Sequence, residues 1–496
     1  MAKTPRIVII GAGAGGLAAA VDLAGAGLNV TVLEKADEEG GKIRQVAHGD
    51  ARIDAGPTVF TMRWVFESLF GDHGQDLDQA MSLSPASILA RHAWTSGKRL
   101  DLYADPDASA EAIGTFAGRA EAAAYRSFVQ DCRGAHDTLR DTFMAAQKPS
   151  PGSLLWRVGD LGALWRTRPF ETYGERLAAT FSDPALRQMF GRYATYVGSS
   201  PFKAPATLML IAHVEQEGVW IPQGGMHAVA GAMRRLAESL GAVIRTGAAV
   251  SEIRVSGGKA TGVTLATGEE IEADAVVFNG DASALAAGLL GERARGGARP
   301  VGRKARSLSA VTWCLEASTR GFPLDYHNVF FADNYEREFD SIFRERTIPD
   351  TPTVYICAQD RHTNINPQGD ERLLVLINAP ADGDLADAGF GDGSLEAHKA
   401  LRMLEACGLE LAGGLPAGQV STPETFNRLF PGTGGALYGR ANHSSMASFA
   451  RPGAATSVSG LYLAGGSAHP GAGVPMATLS GRLAAERLLR DYKLAP

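Results

Sequence analysis

The 496-residue sequence has only four cysteines, and no two of them share a short motif. Cys132, Cys314, Cys357 and Cys407 are scattered along the chain, so we expect neither a redox disulfide nor a cysteine-bound structural zinc. This cysteine usage suits a reducing compartment such as the cytoplasm. The short motifs HExxH and GxSxG are missing as well, and the sequence therefore predicts no metal site and no hydrolase.

The sequence also lacks an apolar run of the ~18 residues that a membrane-spanning helix needs. Ile7 to Val21 is uncharged, but its glycine spacing explains that composition and no cleavage pattern follows, so we do not assign a signal peptide. The net charge of -6 gives no general attraction to nucleic acid. We expect a soluble or peripheral protein of two or three domains.

A strand, a glycine turn and a helix stand at the start of the chain. Residues 6–10 form an apolar, β-branched run that predicts a strand, and 17–23 predict a helix. Gly11, Gly13 and Gly16 lie between them in the GxGxxG spacing. Gly11 permits the sharp turn, Gly13 lets a pyrophosphate approach the backbone, and Gly16 lets helix and strand pack closely. The pattern predicts a dinucleotide-binding unit.

An acidic residue completes this unit. Residues 29–33 predict the second strand, and Glu34 follows it where a carboxylate accepts hydrogen bonds from a ribose diol. The spacing alone leaves NAD and FAD open. The sequence contains a single GxGxxG, so we do not predict a second, pyridine-nucleotide domain.

Two further glycine-rich stretches resemble the flavoprotein superfamily that includes the amine oxidases. One is Gly40-Gly41-Lys42 with DAGPTVF at 54–60, and the other is a strand at 461–464, a glycine loop to Gly473 and a helix from about 475 to 489. The resemblance implies FAD, with the backbone near Val250 close to the adenine. Because no cysteine lies in the C-terminal glycine loop, we expect the cofactor to be bound noncovalently. The predicted cofactor-binding residues are Gly11, Gly13, Gly16, Glu34, Lys35, Gly41, Lys42, Gly56, Pro57, Thr58, Val250, Gly465, Gly466, Pro475 and Met476.

We predict an α/β protein with interleaved domains. The Rossmann-like FAD-binding domain is assembled from 1–80, 216–290 and 456–496. An α+β substrate domain takes 291–455 and 81–215, and the latter segment contains a helical, membrane-facing part. A helix is predicted at 121–147, ending at the linker KPSPGS, and a loop, an amphipathic helix and two short strands at 222–255.

One stretch of the substrate segment, 153–170, predicts an amphipathic helix. Leu154, Val158, Leu161 and Trp165 fall at helical spacing, with arginines at the polar positions. Two interpretations stay open: the apolar face lies in a membrane interface, or it packs on the protein's own core. Arg157 and Asp160 are polar candidates for a proton acceptor, but an exposed surface pair is the simpler interpretation.

Two charged loops follow in the substrate domain. Six basic and no acidic residues lie between Arg293 and Arg306, while an acidic loop contains Asp382, Asp384, Asp387 and Asp392. We expect solvated loops, with contact to an anionic membrane surface as the alternative for the basic one.

The whole chain resembles the bacterial carotenoid desaturases of the phytoene desaturase family. GAGAGGL, DAGPTVF, IPQGGMHAVAGAM and HPGAGVP occur in the family's order. Three further stretches are most similar to the 1-hydroxycarotenoid 3,4-desaturases, also called methoxyneurosporene dehydrogenases: PTVFTMRWVF, ARHAW and RYATYVGSSPFKAPATLMLIAHVE. Phytoene desaturases usually carry an acidic residue and proline where this chain has Thr61, Met62, Arg63 and Trp64, which favours the specialised branch.

The resemblance implies desaturation of an acyclic 1-hydroxycarotenoid at C3–C4 in spheroidene or spirilloxanthin synthesis of photosynthetic bacteria. FAD accepts a hydride, which no side chain can do, and oxygen or a membrane quinone reoxidises it. The enzyme is then cytoplasmic and attached peripherally to the inner or photosynthetic membrane. No catalytic residue is identified, and His469 is expected to be a hydrogen-bonding loop residue.

Several alternatives are kept. They are a phytoene desaturase, a carotenoid isomerase, an amine-oxidase-like or protoporphyrinogen-oxidase-like flavoprotein, and a noncatalytic escort protein. Amine oxidases commonly frame the flavin with aromatic residues, whereas Phe449 is the one aromatic residue from 440 to 460, with Tyr438 and Tyr462 just outside. An escort protein would not need both glycine-rich stretches.

Overall fold

A parallel sheet and a larger mixed sheet organise the chain. The computed structural model describes residues 4–361, 367, 369–386 and 389–494. Asp387 of the acidic loop lies outside these residues. The strands are β1 Arg6–Ile10, β2 Asn29–Leu33, β3 Gln45–His48, β4 Ala51–Asp54, β5 Leu83–Pro85, β6 Ile88–Trp94, β7 Arg99–Tyr103, β8 Trp220–Pro222, β9 Val243–Arg245, β10 Val250–Ser256, β11 Lys259–Leu265, β12 Glu270–Glu272, β13 Ala275–Phe278, β14 Ser309–Ala317, β15 Thr319–Gly321, β16 His327–Phe331, β17 Val354–Ala358, β18 Glu371–Ala379, β19 Leu409–Leu411, β20 Val420–Ser421 and β21 Leu461–Leu463.

The helices lie on both sides of these sheets. They are α1 Ala14–Gly25, α2 Arg63–Gly71, α3 Leu77–Ala80, α4 Pro106–Ala117, α5 Arg119–Leu139, α6 Pro151–Val158, α7 Leu161–Arg166, α8 Tyr173–Thr180, α9 Pro184–Gly191, α10 Leu210–Gln216, α11 His227–Ser239, α12 Ala282–Ala286, α13 Tyr335–Asp340, α14 Ser394–Ala406, α15 Pro423–Leu429 and α16 Val474–Asp491. None of these described helices is long and apolar enough to cross a membrane.

The parallel sheet has the strand order β21-β13-β1-β2-β9. Its strands come from three separated stretches of the chain, at 6–33, 243–278 and 461–463. The apolar run of β1 is buried, as expected for a parallel strand covered on both faces. Helix α1 packs against α11 and α16, so the N-terminal and C-terminal helices share one core.

The mixed sheet has the order β20-β14-β18-β17-β16-β6-β7 and is antiparallel except where β16 meets β6. Side chains alternate between its two faces. Val311 and Trp313 of β14 pack in a core that includes Met403 and Leu404 of α14. Thr312 of the same strand and Leu376 of β18 point the other way, into a cavity.

Helices from the 81–215 segment close the far side of that cavity. Tyr125 of α5 stacks on Phe190 of α9, Phe128 of α5 packs against the same ring at a tilt, and α5 also packs along α10. The α-helical part of α5 ends at Leu139 rather than continuing to 147, and a π-helical turn follows at Arg140–Met144. The linker KPSPGS then ends the element as predicted, with Ser150 capping α6.

The single helix predicted across 153–170 is wrong, because the chain forms two short helices there. Gly159 ends α6 in the left-handed conformation (φ 65°), and Asp160 caps α7 by accepting the Gly162 N–H at 2.7 Å. A glycine after a helix and an aspartate before one are ordinary end and start signals. The periodic apolar pattern therefore does not correspond to one helical face.

The two charged loops contact each other, so the expectation of separately solvated loops is wrong for their central residues. Asp382 accepts from Arg303 at 2.7 Å and from Arg346, and Asp384 pairs with Arg306 at 2.6 Å. Two arginines of the basic loop are therefore paired with aspartates of the protein itself, although Arg303 stays about half exposed, and this pairing weakens the alternative of membrane contact there.

Candidate active site

A cavity of about 790 Å³ joins the parallel sheet to the mixed sheet. At one end its wall contains residues at the carboxyl ends of β1, β2, β13 and β21, where parallel α/β sheets bind their ligands. At the other end it is bordered by α10 and by the face of the mixed sheet that carries Thr312 and Leu376. One continuous space thus connects the predicted nucleotide site with the substrate domain.

The structure gathers nearly all predicted cofactor-binding residues around this cavity. The lining includes Gly11, Gly13, Glu34, Lys35, Gly41, Lys42, Gly56, Pro57, Thr58, Val250, Gly465, Gly466, Pro475 and Met476. Gly16 does not line it and lies behind the turn. A Cβ atom on Gly16 would stand 2.1 Å from the Gly11 carbonyl oxygen, which is the close packing that the motif predicts for this position.

The turn before α1 is open to an anion. The N-cap of α1 is Gly13, with no side chain to cap the first backbone N–H groups, so these and the positive end of the helix dipole face the cavity. Asn279, at the end of β13, donates to the Gly11 carbonyl at 3.2 Å and holds the turn. Gly15, which is not among the predicted residues, also lines the cavity, and a Cβ there would lie 2.8 Å from the Ala477 carbonyl oxygen.

Glu34 is buried at the end of β2. Its carboxylate accepts the Ala12 N–H at 2.7 Å and the Ala36 N–H at 2.9 Å, so the side chain is held in place by the turn itself. A carboxylate has about four acceptor positions, and those that remain can serve a ribose diol. The uncapped helix, the glycine turn and this carboxylate fit a dinucleotide such as FAD.

Two lysines border the nucleotide end. Lys42 Nζ donates to the Leu437 carbonyl at 2.6 Å, and Lys35 donates to the Leu429 carbonyl. Burial lowers the pKa of the Lys42 ammonium and of the Lys35 ammonium. Gly56 packs directly on the Lys42 backbone, because a Cβ there would lie 1.9 Å from the Lys42 carbonyl oxygen. The glycine is required by a backbone contact.

Asp54, the first residue of DAGPTVF, has a structural role. Its carboxylate accepts the Met226 N–H at 2.6 Å, just before α11. Residue 225 must be glycine, because a Cβ there would lie only 2.1 Å from the same carboxylate. Through this contact the motifs DAGPTVF and IPQGGMHAVAGAM lie next to each other in the folded chain.

Thr58 links the nucleotide end to the mixed sheet. Its hydroxyl is 2.7 Å from the Tyr355 hydroxyl, which is 2.7 Å from Nδ1 of His327. Burial, followed by the charge of Arg192, lowers the pKa of His327 to about 3, so this histidine is neutral.

A buried ion pair forms another part of the wall. Arg192 donates to Glu215 at 2.9 Å, and the same carboxylate accepts from the Tyr193 hydroxyl at 2.5 Å and the Tyr196 hydroxyl at 2.7 Å. All four residues lie in the stretch RYATYVGSSPFKAPATLMLIAHVE. Because its oxygens are already engaged by several donors, Glu215 is a structural anchor of α10 and not an open base.

A second polar group, which we call the polar corner, comprises Thr312, Thr353, Asn378 and Glu338. The first three line the cavity, and Thr312 Oγ1 is buried without a hydrogen-bond partner among the described residues. Thr353 donates to Glu338 at 2.6 Å. Burial raises the pKa of the Glu338 carboxyl to about 7. The sequence gives no signal for these residues, because they come from β14, β18, α13 and the residue before β17 and belong to no short motif.

Residues of α6, of α7 and of the segment after α7 form part of the cavity wall. Leu154, Leu164, Thr167 and Pro169 line it, while four large apolar neighbours face solvent: Trp156 (83% exposed), Leu161 (71%), Trp165 (64%) and Phe170 (79%). We call these four the apolar rim. The interpretation that this stretch is ordinary core is wrong for the rim, although Leu154 is buried.

The other candidates from the sequence are structural. His469 Nε2 is 3.0 Å from the Ala146 carbonyl, and burial lowers the pKa of His469 to about 4, so it is a hydrogen-bonding loop residue as expected. Asp160 caps α7 and lies 3.5 Å from Arg166. Tyr438 and Phe449 line the cavity, whereas the Tyr462 hydroxyl donates to Asp491.

Comparison with known proteins agrees with this geometry. Residues 14–489 match the family described as flavin-containing amine oxidoreductase. The chain is 50% identical to hydroxyneurosporene desaturase of Rubrivivax gelatinosus over 98% of this chain and 94% of that one, and 43% identical to that of Cereibacter sphaeroides over 98% of each. An oxidoreductase structure from Methanosarcina mazei superposes with a TM-score of 0.59 at 17% identity, covering 97% of this chain and all of that one, and shares the fold.

Proposed function

The chain belongs to the flavin-containing amine oxidoreductase family, and we propose that it is an FAD-dependent desaturase of an acyclic 1-hydroxycarotenoid, acting at C3–C4. The supporting observation is the single cavity that joins the nucleotide cradle to an apolar chamber. The full-length similarity to the two proteins named hydroxyneurosporene desaturase supports the same substrate class.

The chamber suits a long apolar substrate. Val329, Leu374 and Leu376 of the mixed sheet face Leu210, Ile211 and Val214 of the helical side across the cavity. Desaturation removes a hydride and a proton from neighbouring sp³ carbons, and FAD, when bound, supplies the hydride acceptor. The chain's own tasks are to hold the polyene, to exclude water from the cationic carbon chain, and to accept the proton.

We assign proton acceptance to the polar corner. Thr353 lines the cavity and hydrogen-bonds Glu338, whose pKa of about 7 lets it take up a proton near neutral pH. In this scheme the substrate proton passes to the Thr353 hydroxyl as that hydroxyl gives its own proton to Glu338. The carboxylate itself stays behind the cavity wall, away from the cation.

The substrate hydroxyl group is assigned to Thr312. A buried hydroxyl without a partner is costly, and a ligand hydroxyl would satisfy it. Thr312 pairs across the sheet with Leu376, which pairs with Tyr355, the partner of Thr58. Two strand spacings amount to about 10 Å. The Thr312 hydroxyl is therefore close to the Thr58 end of the cavity, where we place the flavin, as a reaction near the hydroxylated C1 requires.

Peripheral attachment to a membrane through the apolar rim completes the proposal. The substrate is too apolar to cross water, and the rim surrounds residues that line the cavity. Fully burying a side chain such as Leu or Phe is worth roughly 1.5–3 kcal/mol, so the four rim residues together suffice for reversible binding. We place the protein on the cytoplasmic side of the inner or photosynthetic membrane, where oxygen or a quinone reoxidises the flavin.

The domain division follows from the same proposal. We assign 1–80, 216–290 and 456–496 to the FAD-binding domain and the two intervals between them to the substrate domain. The strands of the parallel sheet fall within the first group of segments, and those of the mixed sheet within the second.

Product analysis tests the function directly. The FAD-loaded protein is incubated with liposomes that contain 1-hydroxyneurosporene or phytoene, and products are identified by absorption spectrum and mass. We expect the hydroxylated substrate to lose two hydrogens and absorb at longer wavelength. Conversion of phytoene alone would support the phytoene desaturase, a product of unchanged mass the isomerase, and gain of oxygen an oxygenase.

A further inference from the structure

Three side chains that could ligate a metal meet where α5 packs on α10. His136 lies on α5, His213 on α10, and Glu217 directly follows α10. One possible ligand atom from each falls within 4.8 Å of the other two. We call these three residues the His-His-Glu cluster. The cluster lies outside the polar corner and outside the nucleotide end of the cavity.

The separations approach those of a bound metal site. His213 Nε2 lies 3.4 Å from one Glu217 carboxylate oxygen, and His136 Nε2 lies 4.0 Å from the other. Ligand atoms around a tetrahedral zinc ion with bonds of ~2.1 Å are about 3.4 Å apart. His213 and Glu217 are four residues apart along one helical face, so they already point the same way.

His136 provides the second observation. Its side chain is 1% exposed, and its Nε2 is buried with no hydrogen-bond partner in the part of the chain that the structure describes. A separation of 4.0 Å from Glu217 is too long for a hydrogen bond. On the other side of the ring, Nδ1 is 3.4 Å from the Asp137 carboxylate. A carboxylate at Nδ1 holds the tautomer that leaves the Nε2 lone pair free, as behind many metal-bound histidines.

Access and charge also suit a cation. The Glu217 side chain is 39% exposed, so an ion can reach the cluster from solvent without opening the core. Glu217 and Asp137 together offer two negative charges. Arg133 lies 3.7 Å from Asp137 on the solvent side, and its own side chain is mostly exposed.

We propose that the His-His-Glu cluster binds a divalent transition-metal ion such as Zn²⁺, with water completing the coordination. Two imidazoles and a carboxylate are ligands that this class of ion accepts. Because Leu139 at the end of α5 and Val214 of α10 both line the cavity, the ion would clamp the helical wall of the substrate chamber. This role is separate from the desaturase chemistry. The sequence predicts no metal site, because these ligands come from α5 and from the end of α10 and form no short motif.

Zinc titration tests the proposal on untagged, FAD-loaded protein that has been stripped with EDTA and freed of chelator. Competition against a chromophoric chelator should give about one Zn²⁺ per chain. Glu217→Gln and His213→Gln should each weaken binding at least tenfold, and Asp137→Asn less. Asp141→Asn, an exposed carboxylate one turn further on, is the matched control and should bind as the wild type does.

Thermal melts give a second measurement. Zn²⁺ should raise the melting temperature of the wild type and of the Asp141 control but not that of Glu217→Gln. Because Glu217 is partly exposed, we expect Glu217→Gln to fold normally, so that a missing shift reports lost zinc binding. Unchanged flavin absorption and circular dichroism establish that each variant is folded. Equal zinc affinity in the wild type and in the double variant His213→Gln/Glu217→Gln, or no binding at all, would overturn the proposal.

Discussion

The two ends of the cavity differ in what forms their walls, which is mainly backbone at one end and mainly side chains at the other. At the nucleotide end much of the wall is backbone: added Cβ atoms at the lining residues Gly15 and Gly56, and at Gly16 behind them, would collide with main-chain atoms. At the substrate end the wall is formed by side chains, including those of Thr312 and Thr353 and of neighbouring aliphatic residues. A backbone wall tolerates almost no change, whereas a side-chain wall can be altered in steps.

This difference separates binding of the cofactor from choice of the substrate. Substitutions at the nucleotide end should act in an all-or-none way on flavin retention. Substitutions at the substrate end should leave the flavin bound and change turnover, substrate preference or membrane attachment by graded amounts. The following predictions test that separation, from the largest expected effect to the smallest.

Gly16→Ala should abolish flavin retention. The new Cβ would lie 2.1 Å from the Gly11 carbonyl oxygen, so the turn that faces the pyrophosphate must move. Gly71→Ala, at the end of α2 with open space around its Cβ position, is the matched control and should stay yellow through gel filtration. Gly13→Val serves as a second variant in case Gly16→Ala misfolds. Full retention of FAD by both nucleotide-end variants would show that the turn is not the cofactor site.

The residues predicted for this end surround one cavity, and glycine explains why the sequence could indicate them. Glycine is required where the backbone must approach another backbone or a ligand. Gly11, Gly13 and Gly56 meet such requirements and can therefore be recognised in the sequence. The polar corner leaves no such trace, because Thr312, Asn378 and Glu338 become neighbours only when β14, β18 and α13 assemble. A threonine in a strand is indistinguishable from any other until the sheet order is known.

Changing the apolar rim to serine should release the protein from membranes. Losing even ~1.5 kcal/mol for each of Trp156, Leu161 and Trp165 weakens liposome binding by about a thousandfold. FAD should remain bound and turnover of membrane-delivered substrate should fall. Leu395→Ser, which removes an equally exposed leucine on α14, is the control and should leave flotation unchanged. A triple variant that still floats with liposomes would place the attachment elsewhere.

The rim also shows what periodicity omits. The spacing of Leu154, Val158, Leu161 and Trp165 is helical, yet Gly159 and Asp160 between them carry the stop and start signals of two helices. Those local signals outweigh the longer pattern, because a left-handed glycine and a capping carboxylate fix the backbone directly.

Glu338→Gln should lower kcat by about a hundredfold with FAD still bound, which is the usual scale for a lost general base. Because burial raises the pKa of Glu338 to about 7, the active carboxylate forms as pH rises through that value, and wild-type kcat should rise with it. The variant should lose this dependence. Glu396→Gln, another buried carboxyl whose pKa burial raises, lies on α14 away from the cavity and is the control. An unchanged pH profile in Glu338→Gln would remove this residue from the mechanism.

The same raised pKa has a consequence for stability. Between the ordinary carboxyl range and pH 7 the folded state binds more protons at Glu338 than the unfolded state does. Its contribution to the free energy of unfolding therefore falls as pH rises through that window. Glu338→Gln should flatten this part of the stability profile, as measured by denaturant melts at a series of pH values.

Thr312→Val should have the smallest effect, about fivefold in KM, because one net hydrogen bond is worth roughly 1 kcal/mol. The loss should appear with a 1-hydroxylated carotenoid and not with the same carotenoid lacking the hydroxyl group. Both substrates are compared in the same liposomes with the wild type and the variant. Equal changes for the two substrates would mean that Thr312 does not contact the hydroxyl group.

An anaerobic single turnover tests most directly the claim that one cavity brings flavin and hydroxycarotenoid together. FAD-loaded protein is mixed with 1-hydroxyneurosporene in liposomes without oxygen, and flavin absorption and carotenoid spectrum are followed together. We predict that the flavin bleaches in step with product formation, with one molecule of the longer polyene formed for each flavin reduced. Product without flavin bleaching, or bleaching that requires oxygen, would contradict the account.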